Sequence, residues 1–357
     1  MPRTRHSARR WTSLGDERLL DLRFRDLDLR VEGSPLEPLV RELAGELEQR
    51  GLRFRPHVWV STEWFSPDGV PGIAVPFYLT HPRLLRLERA MMIEAEGSSR
   101  EECLMILRHE AGHALQHAWR LQRREGWRRT FGDPSRPYPT IYRPNPASQR
   151  HVQHLRQYYA QAHPHEDFAE TFAVWLTPRS QWRRRYAGWP ALKKLEWVDE
   201  LMRELRGVTP PVRSRRRVEP LAELRQTLRE HYAEKQRHQA SHRPVVPDRD
   251  LQRLFAGPVL RTGASPGRGV RGGGAGSGEP ATAFLRRHRA ELRRTVARIT
   301  GESQFTLDHA LEDVIARCRA LELRTTRSDR RLRVEFALLL TARTVHFHYS
   351  RRNWVAL

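Results

Sequence analysis

Apolar and polar positions follow two rhythms along this chain. Leu19–Val31 sets Leu20, Leu22 and Phe24, then Leu27, Leu29 and Val31, on alternate positions, which predicts a strand or hairpin. Leu36–Arg50 carries apolar residues at 36, 39, 40, 43 and 47, a helical stripe that Gly51 stops. Period two returns over Leu52–Val60. A Pro67-Asp68-Gly69 turn separates that segment from Ile73–Leu79, a short apolar strand. A long helix follows. Ser98 and Ser99 stand three residues before Glu101 and Glu102 and can form a capping box, and Leu104, Ile106, Leu107, Ala111, Ala114 and Leu115 keep helical spacing.

Residues 124–150 are rich in proline, arginine and aromatics and read mainly as loop. A helix is expected to resume near His151, to break at Pro164 and to restart as His165–Leu176, with further helices over about 190–206 and 219–240. Residues 256–280 hold nine of the 22 glycines and read as a flexible linker. Beyond it, 281–299, 306–323 and 330–349 each carry an apolar stripe. The expected organisation is a disordered arm (1–15), a main domain (16–209), a basic helical extension (210–255), the linker (256–280) and a mostly helical module (281–357). A few short strands among many helices make the class α+β.

Composition narrows the function. The 357 residues suffice for two or three domains, and 64 Lys+Arg against 42 Asp+Glu give a net charge of +22. No apolar run approaches the roughly 20 residues a bilayer span needs, so no membrane role is expected. The basic N-terminus has no apolar region behind it, which argues against export. Cys103 and Cys318, far apart, exclude a disulfide framework and an all-cysteine metal site, and a reducing cytoplasm is the simplest home. The charge points toward polyanions, but three of the basic residues are lysine and 61 arginine, the bias a GC-rich genome produces without selection for binding. The arginine-rich stretch 213–243, with Arg213, Arg215, Arg216 and Arg217 at its head, remains a candidate grip for an acidic partner or nucleic acid.

The chemistry lies elsewhere. His109-Glu110-Ala111-Gly112-His113 is an HExxH segment within the long helix. Histidines four apart share a helical face, so both imidazoles can reach one zinc ion, and Glu110 beside them can act as general base on a zinc-bound water. Catalytic zinc usually has a third protein ligand. Downstream, Glu166 and Glu170 stand one turn apart, with Phe168, Ala169 and Phe172 as the apolar face. Glu166 can be that third ligand, and Glu170 can accept the remaining N–H of a zinc-binding histidine. His117, one turn beyond His113, reads as a surface or supporting residue, and Cys103 as a small buried hydrophobe.

With these residues in view, about 57–200 resembles the bacterial zinc-binding metallopeptidases related to the gluzincins. The resemblance rests on Arg108–His113, on Tyr159–Thr171, and on the upstream Pro67-Asp68-Gly69 and Pro76-Phe77-Tyr78-Leu79. It implies a zincin-like domain, a small mixed sheet plus active-site helices, with one zinc ion per chain held by His109, His113 and Glu166. Glu170 would orient a histidine. Tyr159, seven residues before Glu166, would stabilise the tetrahedral intermediate, with Tyr158 as its close competitor. Ile73, Ala74, Val75, Pro76 and Phe77 would form the edge strand along which a peptide lies. The function so implied is zinc-dependent hydrolysis of peptide bonds in peptide or protein substrates. The alternative is a non-catalytic zinc-containing adaptor or nucleic-acid-associated protein acting through its arginine-rich surface; the intact Glu110 argues against it, because a structural zinc site needs no general base.

Overall fold

The computed structural model describes residues 10–139, 142–240, 243–257 and 278–350, which divide into two units, one reaching to Glu234 and the other starting at Lys235. The first unit begins with helices α1 (Asp16–Leu20) and α2 (Glu37–Gln49), followed by strands β1 (His57–Ser61) and β2 (Gly72–Pro76). Helices α3 (Pro82–Met92), α4 (Arg100–Trp119), α5 (Trp127–Phe131), α6 (Pro164–Leu176), α7 (Trp182–Arg185) and α8 (Ala191–Glu204) complete most of it, and α9 (Leu228–Ala240) starts near its end.

Helix α4 is the centre of this unit. Ser99 caps it by accepting a hydrogen bond from the Glu102 N–H at 3.1 Å, as the capping-box spacing predicts. From Ile106 to Trp119 every residue is buried. A helix buried all round takes its polar residues into the interior, where each needs a partner or a function. Helix α6 packs across α4, and the crossing is close because two small residues meet there. A β-carbon built on Gly112 would come 2.8 Å from the Ala169 Cα, so glycine is required at 112. Gly112 lies between the two histidines and Ala169 between the two glutamates, so their contact brings the two motifs face to face.

β1 and β2 pair in parallel, with Trp59 opposite Ala74. On the other side of β2, Phe65 pairs antiparallel with Ala74. The class is α+β, mostly helical with this small sheet; among the described residues the two named strands are parallel, and the antiparallel part is a bridge. β1 also anchors the basic run. The His57 Nε2–H donates to the Arg216 carbonyl at 2.9 Å, Trp59 Nε1–H to Val218 at 2.9 Å, and Ser61 Oγ–H to Glu219 at 2.8 Å. The side chains of Arg213, Arg215, Arg216 and Arg217 stay exposed.

Several local expectations change. Leu19–Val31 is not a strand: α1 and a 3-10 turn over Phe24–Leu27 occupy it. The buried residues there are Leu19, Leu20, Phe24, Leu27 and Val31, the last four spaced by three and four, while Leu22 and Leu29 are only partly covered. The stretch after His151 is a 3-10 turn, Arg156–Gln161, broken by left-handed Gln157 (φ 64°) and Tyr158 (φ 58°). Within 219–240, regular α-helix starts only at Leu228, because the preceding residues bond the N-terminal segment: Phe24 N–H to Gln226 O and Arg25 N–H to Leu224 O. Of the expected arm, residues 1–9 lie outside the described residues; Arg10–Ser13 is a 3-10 turn with Trp11 buried and its indole N–H on Leu27 O at 3.2 Å.

The second unit contains α10 (Asp248–Leu254), α11 (Ala281–Thr300), α12 (Gln304–Ala320) and α13 (Asp329–Ser350). The three apolar stripes meet in one core that includes Phe255, Phe284, Leu292, Leu311, Phe336 and Leu340. Arg289 and Arg293 from α11 converge on Asp308 of α12. Positions 258–277, most of the glycine-rich stretch, lie outside the described residues. Both cysteines are buried and unpaired, and no described helix is long and apolar enough to cross a membrane.

Candidate metal centre

The face of α4 bearing His109 and His113 meets the face of α6 bearing Glu166 and Glu170. His109 Nε2, His113 Nε2 and Glu166 Oε2 lie 3.1 Å from one another in all three pairings. Among the described residues, these three form a group that could hold a metal ion. On the far side of the first imidazole, His109 Nδ1–H donates to Glu170 Oε1 at 2.8 Å. With a metal bound, that bond would fix the tautomer that offers the Nε2 lone pair to it. Glu170 is fully buried, and its second oxygen accepts the Leu155 N–H at 2.8 Å.

The donor set fits zinc on three counts. Ligands about 2.0–2.1 Å from a tetrahedral zinc lie about 3.3 Å apart, close to the observed triangle. Glu110, Glu166 and Glu170 put three buried carboxylates beside two imidazoles, a concentration of negative charge that calls for a cation in a water-poor interior. Glu110 is 7% exposed, and its buried Oε2 has no protein partner, as expected of a group reserved for water or substrate at the cluster. The Glu110 carbonyl accepts the Ser66 hydroxyl at 3.1 Å, so the loop 62–70 is tied to the same turn of α4.

Electrostatics follow from this crowding. Burial pushes the Glu166 carboxyl up, but the neighbouring His113 and His109 outweigh it and hold it below the usual carboxylate range. Burial pulls His109 down, while Glu166 and Glu170 win and hold it well above an ordinary imidazole. The Glu166 direction reflects the imidazoles beside it, and the His109 direction the two carboxylates that flank it. Burial, reinforced by Glu166, raises the Tyr138 and Tyr159 phenols, which keeps them protonated donors at neutral pH.

His109, His113, Glu166 and Glu170 are thus assembled in one place, with Glu110 next to His109 on α4. Tyr159 lies beside them, its ring centroid 5.7 Å from that of His109. Ile73, Ala74, Val75, Pro76 and Phe77 are buried, and the outer edge of β2 is closed at Ala74, whose N–H and C=O both bond Phe65 (2.8 and 3.4 Å). The free edge expected there is therefore taken by the chain's own residues. His117 is buried against the Pro67-Asp68-Gly69 turn, accepting the Gly69 N–H on Nδ1 at 3.3 Å; burial, then His113, pulls its imidazole down to about 4.

Some contributors were not visible in the sequence. Tyr138, from the proline-rich insert, donates to Glu166 Oε1 at 2.8 Å. His163 caps α6 by accepting the His165 N–H on Nδ1. Arg108, beside the first histidine, makes a buried two-pronged pair with Glu46 of α2 at 2.8 and 2.6 Å. Helix-stripe counting treats Arg108 and Glu46 as solvent residues, and nothing about Tyr138 in sequence distinguishes it from its loop neighbours.

No curated protein and no solved structure matches this chain. A family model does match, over the segment that holds both motif helices and the loop between them. Residues 96–184, which carry His109, Glu110, His113, Tyr138, Tyr159, Glu166 and Glu170, match the family described as "Putative zinc-binding metallo-peptidase".

Proposed function

We propose that the protein is a zinc-dependent peptidase of the gluzincin type, hydrolysing peptide bonds with Glu110 as general base. The observation that carries this reading is the 3.1 Å triangle of His109 Nε2, His113 Nε2 and Glu166 Oε2, two of whose members share α4 with Glu110 and its buried, partnerless Oε2. A zinc ion held by those three atoms would supply Lewis acidity and an acidified water.

The chain's own residues do the remainder. Glu110 accepts the proton of the attacking water and returns it to the leaving amine. Glu170 keeps His109 in one tautomer and orientation throughout. Tyr159 donates its phenol proton in a hydrogen bond to the carbonyl oxygen as negative charge develops there, a contribution of roughly 3–4 kcal/mol. An extended substrate runs outside Trp64–Ser66 rather than along Ile73–Phe77, because Phe65 already holds the edge of β2 and Ser66 is bonded over Glu110. The exposed arginines from 213 onward favour acidic substrates.

The test is a peptide-library cleavage assay on the full chain, wild type beside Glu110→Gln. Cleavage by the wild type that falls by at least about a hundredfold in the variant, with zinc content equal, supports the peptidase. Equal cleavage by both proteins contradicts it.

A further inference from the structure

Glu166 has two carboxylate oxygens in different surroundings. Oε2 faces His109 and His113, and Oε1 accepts the Tyr138 hydroxyl at 2.8 Å. Tyr138 belongs to the loop before α6 and is 48% exposed, yet its ring is braced. It lies flat on the His163 imidazole, with centroids 3.8 Å apart and planes 16° from parallel. His163 is itself held at both nitrogens: Nδ1 accepts the His165 N–H at 3.2 Å, and Nε2–H donates to the Arg136 carbonyl at 2.7 Å. The residue that caps α6 thus also holds the loop at Arg136 and Tyr138.

The consequence is chemical. A carboxylate with two uncommitted oxygens can chelate a divalent ion through both, whereas one whose outer oxygen accepts a phenol hydrogen bond is biased toward ligating through the other. A catalytic zinc site needs three protein ligands and one position left for water. We propose that Tyr138 is a positioning residue for the metal site: its hydroxyl occupies Glu166 Oε1, so that Glu166 ligates through Oε2 alone and the remaining coordination position stays open to water. The inference rests on the zinc reading above and adds a residue that neither motif helix contains.

Tyr138→Phe removes the hydroxyl and keeps the ring on His163, so the loop retains its stacking. Two measurements on the full chain read the effect without any substrate. Zinc affinity by competition with a chelator is expected to fall roughly 10- to 100-fold, the usual cost of losing a hydrogen bond behind a ligand. In the cobalt-substituted protein the visible d–d bands are expected to weaken, because coordination number rises as Glu166 takes up the metal with both oxygens. Tyr142→Phe is the comparison: its hydroxyl donates to the Gln157 carbonyl at 3.0 Å, and both readouts should match wild type. The assignment is overturned if Tyr138→Phe keeps wild-type zinc affinity and cobalt spectrum, even if its cleavage activity drops. It is equally overturned if Tyr142→Phe reproduces the change. A wild-type protein that takes up neither metal removes the zinc reading itself, an outcome distinct from either of these.

Discussion

Gly112 and Ala169 touch where α4 crosses α6, and a β-carbon on Gly112 would sit 2.8 Å from the Ala169 Cα. Gly112→Ala therefore sets a helix-propensity gain of about 1 kcal/mol against a collision with backbone. The backbone cannot swing aside as a side-chain tip can. The variant is expected to lose roughly 1–3 kcal/mol in urea denaturation and to bind zinc more weakly, since the crossing sets the distance between the histidines and Glu166. A more stable variant would contradict the close crossing.

Glu170 supports the site from behind. Replacing it by alanine leaves the His109 Nδ1–H and the Leu155 N–H without their acceptor in the interior. The expected outcome is a roughly 10- to 100-fold loss of zinc affinity by chelator competition. A stability cost of about 1–3 kcal/mol should accompany it in the metal-free protein, from the orphaned donors. Unchanged zinc affinity in Glu170→Ala would remove this glutamate from the site.

Two arginine–glutamate pairs link α2 to α4 and differ in burial. Arg108–Glu46 is buried, while the Arg100 side chain of Arg100–Glu42 is 59% exposed. Glu46→Ala strands a guanidinium inside the protein and should cost about 3–5 kcal/mol. Glu42→Ala should cost no more than about 1 kcal/mol, and that difference should shrink further in high salt. Chemical denaturation of the two variants at low and high salt checks both; equal costs would contradict the burial of the inner pair.

Long elements with regular spacing were legible in the sequence. The capping-box serine, the α4 stripe, the two histidines one turn apart and the Glu166–Glu170 pair all follow from local periodicity, and the structure brings those four side chains to one place. What local periodicity does not carry is contact between distant segments. Leu19–Val31 fits period two and helical spacing almost equally well, and packing decides for helix and turn. The strand pattern holds for Ile73–Pro76, whereas Phe77–Leu79, also expected in the strand, lies in a 3-10 turn; Phe65, eight residues upstream of Ile73, takes the edge at Ala74. Tyr138 reaches Glu166 across a separation of 28 positions that is mostly proline-broken loop, a distance no pattern in the sequence measures. Gly112 looks like an unremarkable small residue in a helix until Ala169 is seen beside it.

On the function proposed above, His109, His113 and Glu166 hold a zinc ion. The measurement that bears on it most directly is the metal content of the purified full chain by elemental analysis, wild type beside His109→Ala, His113→Ala and Glu166→Ala, with circular dichroism to check folding. About one zinc per wild-type chain, lost from each folded variant, is the predicted result. A folded His109→Ala protein that keeps the wild-type zinc content would contradict the account.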